Sequence, residues 1–185
     1  LRQCVVAFAD TSVAEILQHM IHGRRYIVVD EQPVLKLVSQ GFMLRFLRGH
    51  ADPTRLDKRV SDLLLPTANN TLPKCGAFEC ARSAFEKMAA YSLSALPVVD
   101  EAGHLASVIS ATDAIALATS DAATLHLPVL EFISQSRACA YGTSARPVDD
   151  TVTCTMYDTV DSLLGIIVNE RVHNVYIVDE EGRPV

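Results

Sequence analysis

Three stretches of the chain repeat one amphipathic pattern. Apolar residues fall at Val13, Ile16, Leu17, Met20 and Ile21, at Ala81, Ala84, Phe85, Met88 and Ala89, and at Val160, Leu163, Leu164, Ile167 and Val168. Spacing of i, i+3, i+4, i+7 and i+8 is the stripe of a helix with one buried face. Ser12 with Glu15 gives the first a capping-box start, and Thr159 offers a similar start for the third. Each helix leads into a short β-rich run, Tyr26 to Val29, Leu96 to Val99 and Val175 to Val178, followed by an acidic or glycine turn. Second runs follow at Val34 to Val38 and Leu105 to Ile109, then helical stretches at Gly41 to Leu47 and Thr112 to Ala118. A strand at Cys4 to Phe8 precedes the first helix.

The β-rich runs also carry a repeated tetrapeptide: Val-Val-Asp-Glu at 28–31 and 98–101, and Ile-Val-Asp-Glu at 177–180. Val13 stands 17 residues before Asp30, whereas Ala81 and Val160 each stand 19 before Asp100 and Asp179. Strand, helix, strand, strand, helix makes a βαββα unit too small to cover its own sheet, so such units should pack in pairs. The predicted class is α/β (α+β), with repeats at 1–52, 66–122 and 126–185. Turn chemistry marks the connectors at Asp52-Pro53, at Pro66 to Pro73 and at Gly142 to Pro147. The third repeat reaches only Pro184-Val185, so its second strand and closing helix are expected to lie outside this sequence.

Composition removes several classes of function. A chain of 185 residues that is 49% hydrophobic buries a sizeable core, which excludes disorder. Its net charge of −6 repels phosphate polymers and anionic membranes, so neither nucleic acid nor a membrane is an expected partner. Arg45, Arg48, Arg55, Lys58 and Arg59 read as a solvated face. Five cysteines without C-x-x-C spacing, and no apolar run near the length of a membrane helix, fit a reducing compartment, cytoplasmic or nuclear. The first residues lack a signal peptide, and both termini read as cuts from a longer protein.

Chemistry concentrates at one place. Ser94 to Glu101, S-A-L-P-V-V-D-E, leads to Ser107 to Ile115, S-V-I-S-A-T-D-A-I, and this pairing in tandem βαββα units resembles the cystathionine-β-synthase (CBS) domain. The resemblance implies pairing into Bateman modules that bind adenine nucleotides in their clefts. Tyr91 to Glu101 is similar to the third repeat of the gamma regulatory subunits of AMP-activated protein kinases. Asn169 to His173 with Ile177 to Glu180 is similar to their fourth, and Ser39 to Leu47 to the end of their second. That resemblance implies a non-catalytic subunit that binds AMP, ADP or ATP as regulatory ligand, with no prosthetic group. It further implies a heterotrimer with a kinase catalytic (alpha) subunit and a beta subunit.

The resemblance implies that the Asp113 carboxylate accepts from the two hydroxyls of a ribose, while Ser110 and Thr112 meet the sugar or a phosphate oxygen. Arg25 and His173, just before their strands, are placed as phosphate cations. Each also has a plain structural reading. S-x-x-D at a helix start is a cap that satisfies N–H groups, Arg25 is a solvated charge, and His173 is a structural histidine. Asn174 stands where the family usually has arginine, which removes a bidentate contact. Phe42 stands where the first repeat would need its aspartate, so no nucleotide is expected there. His19 and His22 lack a third metal ligand, and no phosphate loop, H-E-x-x-H or G-x-S-x-G occurs. Two rival readings stay open: a CBS scaffold that has lost nucleotide sensing, and a regulatory CBS segment of a larger enzyme or transporter.

Overall fold

In the computed structural model, which describes residues 6–22, 26–31, 34–63, 72–118, 121–141 and 147–185, the three amphipathic stretches are helices and the apolar runs are strands. The first repeat runs β1 (Val6–Phe8), α1 (Val13–Ile21), β2 (Tyr26–Glu31), β3 (Val34–Ser39) and α2 (Gln40–His50), followed by one helical turn, α3 (Pro53–Leu56). The second runs β4 (Cys75–Gly76), α4 (Ala81–Ala90), β5 (Ala95–Val99) and β6 (Leu105–Ser110), and closes in a 3-10 segment at Asp113–Ala118. A further 3-10 segment (Ala122–His126) leads to α5 (Val129–Tyr141), then β7 (Thr153–Thr155), α6 (Val160–Glu170) and β8 (Tyr176–Val178).

In each repeat the first strand lies parallel to the second, as two strands joined through a crossover helix do. The second and third strands of the first two repeats form antiparallel hairpins. In the third, an antiparallel bridge from Val178 to Pro184 begins the same hairpin.

The chain divides into two compact units, residues 1–58 with 159–173, and residues 59–158 with 174–185. In the first unit α1 and α2 cover one face of the sheet, burying Ala7, Ile16, Met20, Ile27 and Met43. Helix α6 belongs to the same unit and packs on α2. There the Arg48 guanidinium grips the Asp161 carboxylate twice, from Nε at 2.9 Å and Nη2 at 3.2 Å. A Cβ on Gly165 would come about 3.0 Å from that guanidinium, so the glycine leaves room for Arg48 beside α6. In the second unit Ala81, Ala84 and Met88 of α4 and Val129, Phe132 and Ile133 of α5 pack on Cys75, Leu96, Val98 and Ile109 of the sheet. Phe132 meets Phe85 edge-on, with ring centres 5.5 Å apart.

One turn recurs at the head of all three helices. The backbone N–H at the end of the first strand donates to a side chain three residues on: Phe8 to Thr11 Oγ1 (2.9 Å), Gly76 to Glu79 Oε1 (2.9 Å) and Thr155 to Asp158 Oδ2 (2.6 Å). The residue before that N–H is buried each time, as Ala7, Cys75 and Cys154, and it pairs with Val29, Val98 and Ile177. The tetrapeptide is therefore out of step in the first repeat, where its second residue takes the place held by the first residue elsewhere.

The register shift accounts for one of the two residues missing between Val13 and Asp30, and the shorter helix for the other, since α1 has nine residues where α4 has ten. Asp100 and Asp179 cap wide turns, accepting from the N–H of His104 (2.8 Å) and Arg183 (2.8 Å). Gly103 and Gly182, at φ of 88° and 79°, supply the left-handed residue those turns need. Asp30 instead sits inside the β2–β3 ladder, opposite Leu35.

Two outcomes test this packing. Phe132→Ala should lower the unfolding free energy by about 3–5 kcal/mol in urea titrations, and a loss below about 1 kcal/mol would remove α5 from the core. Burial pushes the Cys75 thiol up to about 11 and raises Cys154 as well. Mass spectrometry should therefore find neither alkylated by iodoacetamide at mildly alkaline pH until the protein unfolds.

Candidate functional site

Strand β6 ends at Ser110, and the chain turns at Ala111 and Thr112 into the 3-10 segment that opens at Asp113. The turn is fixed to the start of β5 by the Ala111 N–H, which donates to the Ser94 carbonyl at 2.9 Å. Asp113 is 7% exposed. One oxygen, Oδ2, accepts both the N–H (2.8 Å) and the hydroxyl (2.7 Å) of Ser110. This is the reciprocal half of a capping box, so the structural role of S-x-x-D is occupied.

The other carboxylate oxygen has a cation beside it. Arg137 of α5 places Nε 3.5 Å from Oδ1, with 15% of the arginine side chain and 8% of the aspartate side chain exposed. Arg137 is held in turn by the carbonyls of Pro147 (2.8 Å) and Val108 (3.0 Å). Its neighbour Ser136, also buried, donates to the Asp113 carbonyl at 2.8 Å. A carboxylate, a hydroxyl and a guanidinium thus meet at one edge of the second repeat, with the exposed Thr112 beside them.

Ser110, Thr112 and Asp113 are thereby brought together. His173 is exposed and closes the other compact unit, and Arg25 lies outside the described residues. The position they share corresponds in the second repeat to Ser94, the residue whose carbonyl pins the turn. In the first repeat Ser39 caps α2 by accepting the Phe42 N–H at 3.1 Å, and Phe42 is half exposed where the second repeat has Asp113. Arg137 was not singled out by the sequence pattern. It stands 24 residues beyond Asp113, and nothing in the sequence reveals that α5 returns to this turn. Among the described residues no group of three or more His, Cys, Asp or Glu could hold a metal ion, and no helix is long and apolar enough to cross a membrane.

Residues 81–119, from the start of α4 through the S-x-x-D turn, match the model of the CBS domain family. More particularly, the chain is similar to the AMP-activated protein kinase subunit gamma of Kluyveromyces lactis, 25% identical over 167 residues that make up 86% of this chain and 49% of that protein. It spans about half the length of the curated relatives it matches. Its fold is that of protein MJ1225 from Methanocaldococcus jannaschii, for which homology to the kinase gamma subunit has been put forward. The TM-score is 0.67 at 20% identity, over 98% of this chain and 63% of that one. It also resembles the CBS domain pair of protein MJ0100, solved with 5'-methylthioadenosine and S-adenosyl-L-methionine. There the TM-score is 0.50 at 21% identity, over 69% of this chain and 86% of that one.

The Asp113 cluster makes a prediction of its own. Asp113→Ala leaves a largely buried guanidinium without its carboxylate and the Ser110 N–H without an acceptor, which should cost about 3 kcal/mol of stability. Asp113→Asn, which keeps an acceptor for Ser110, should cost less, and urea unfolding of both variants checks the order.

Proposed function

We propose that the chain is a non-catalytic regulatory segment that binds an adenine nucleotide at Ser110, Thr112 and Asp113 and controls an associated AMP-activated-type protein kinase. The observation that carries this reading is the pairing of the Asp113 carboxylate with the Arg137 guanidinium at one turn. A ribose diol donates to a carboxylate, and a phosphate accepts from a guanidinium, so one ligand answers both. The adenosine compounds seen with the protein MJ0100 domain pair support the ligand class. The similarity to gamma subunits supports the partners, a kinase catalytic subunit and a beta subunit in a cytoplasmic or nuclear heterotrimer. In this reading the repeats are 1–52, 66–122 and 126–185, and Arg25 and His173 are phosphate cations.

The scaffold reading has one observation in its favour. Ser110 and Arg137 already satisfy Asp113, so the turn has a structural role without any ligand.

Calorimetric titration of the full-length protein with adenosine, AMP, ADP and ATP separates the two. The nucleotide reading expects Asp113→Asn to weaken all four by about tenfold or more, and Arg137→Gln to weaken only the three that carry phosphate. Absence of binding by the parent protein favours the scaffold, while unchanged binding in both variants moves the site away from Asp113.

A further inference from the structure

At the carboxyl ends of β4 and β5 the second unit opens into a surface cavity of about 340 Å³, lined by Ala77, Phe78, Glu79, Val99, Asp100 and Glu101 among others. Ser110 pairs with Ala95 at the opposite end of β5, so roughly 13 Å of strand separates this cavity from the Asp113 turn. The carboxylates around it are not equally committed. Glu79 is held by Lys87 at 2.7 and 2.8 Å and by the Gly76 N–H, and Asp100 by the N–H and ring of His104. Glu101 is exposed and has no partner among the described residues. Phe78 presents a ring on a residue 76% exposed.

The third repeat carries a second copy of this turn. Thr155, Met156, Tyr157 and Asp158 correspond to Gly76, Ala77, Phe78 and Glu79, each closed by the same bond from backbone N–H to carboxylate. Tyr157 is also exposed, and the guanidinium carbon of Arg59 stands 6.0 Å from its ring centre. Arg59 is delivered there by its own strip of chain, in which the Val60 N–H donates to the Asp158 carbonyl (2.8 Å) and the Ser61 N–H to the Met156 carbonyl (3.0 Å). The second repeat has the matching strip, with the Val129 N–H on the Glu79 carbonyl (2.8 Å) and Val129, like Val60, fully buried. The residue before Val129 is Pro128, so the position that supplies a cation in one copy supplies none in the other.

The geometry points to this cavity as the docking site for an arginine side chain of a partner polypeptide, its guanidinium stacked on Phe78 and paired with Glu101. A guanidinium is planar and weakly hydrated, so it can lie on a ring and bond a carboxylate at once. The carboxylates of Asp100 and Glu101, on a chain of net charge −6, draw a cation to this edge and repel an anion.

The test is a titration of the 15N-labelled protein with the peptide Gly-Gly-Arg-Gly-Gly, followed through its amide resonances. Saturable shifts of Gly76, Val99 and Glu101 at about millimolar peptide are expected, as for one anchored side chain. The same peptide with citrulline for arginine should bind about tenfold more weakly or not at all. Glu101→Gln and Phe78→Ala should each abolish the shifts, and because both side chains are exposed the melting temperature should stay unchanged. No shift at these amides, equal shifts with citrulline, or shifts retained in both variants overturns the proposal. Guanidinium ion binding as well as the peptide also overturns it, since the cavity would then take a small cation and not a polypeptide. Asp113→Asn should leave the titration unaltered, which keeps this outcome separate from that of the nucleotide reading.

Discussion

Every residue of β5 is buried, and a strand with no wet side must be covered on both faces. That constraint organises the second unit. On the face of Leu96 and Val98, α4 brings Ala81, Ala84, Met88 and the partly buried Phe85, and α5 completes that layer with Val129, Phe132 and Ile133. The first sheet is under no such demand. Its inner face packs on α1 and α2, while Val6, Phe8 and Leu37 on the outer face stay more than half exposed.

Covering β5 also sets the chemistry at its edge. The buried residues of α5 run Val129, Phe132, Ile133 and Ser136, the i, i+3, i+4 and i+7 positions of one helical face. The stripe begins apolar in the core and ends in a hydroxyl at the carbonyl of Asp113. Arg137, the next residue, is carried to the same turn and meets the carboxylate there. The cation beside Asp113 is thus a consequence of how the core is packed, and the helix that holds it cannot shift without uncovering Phe132 and Ile133.

This layering explains what the sequence could and could not disclose. The stripes of α1, α4 and α6 are long and apolar, and the β-rich runs around them match β2, β3, β5, β6 and β8 to within two residues at either end. The S-x-x-D turn was legible because its parts lie within four residues. Helix α5 was not, since its stripe is short, is broken by Ser136 and follows Pro128. Arg137 was hidden with it, because its partner is chosen by tertiary packing. The repeated tetrapeptide is a different case. Identical residues at 28–31 and 98–101 sit one place apart in register, because the first hairpin is shorter and pairs Glu31 with Val34 where the second leaves the ladder for a wide turn at Asp100. Side chains alternate across a strand, so a shift of one residue sends the same letters to opposite faces.

The bonds around Arg137 indicate how a ligand at this turn would be felt elsewhere. In the structure its two terminal nitrogens hold the carbonyls of Pro147 and Val108, while Nε faces Asp113. A ligand that draws the carboxylate or the guanidinium to itself must loosen one of these contacts, and the backbone of α5 is rooted in the core. The side chain is then the element free to move, and the Pro147 carbonyl, a few residues before β7, loses its donor. Such a change is favoured only by the difference in ligand affinity between the two arrangements. A change of about 1.4 kcal/mol in that difference alters their ratio tenfold, and that is within the range of one charge-assisted hydrogen bond, about 1.5–3 kcal/mol. The pair at Asp113 is therefore a cap for the free turn and, in the nucleotide reading, of the right strength to be a contact that the ligand would exchange.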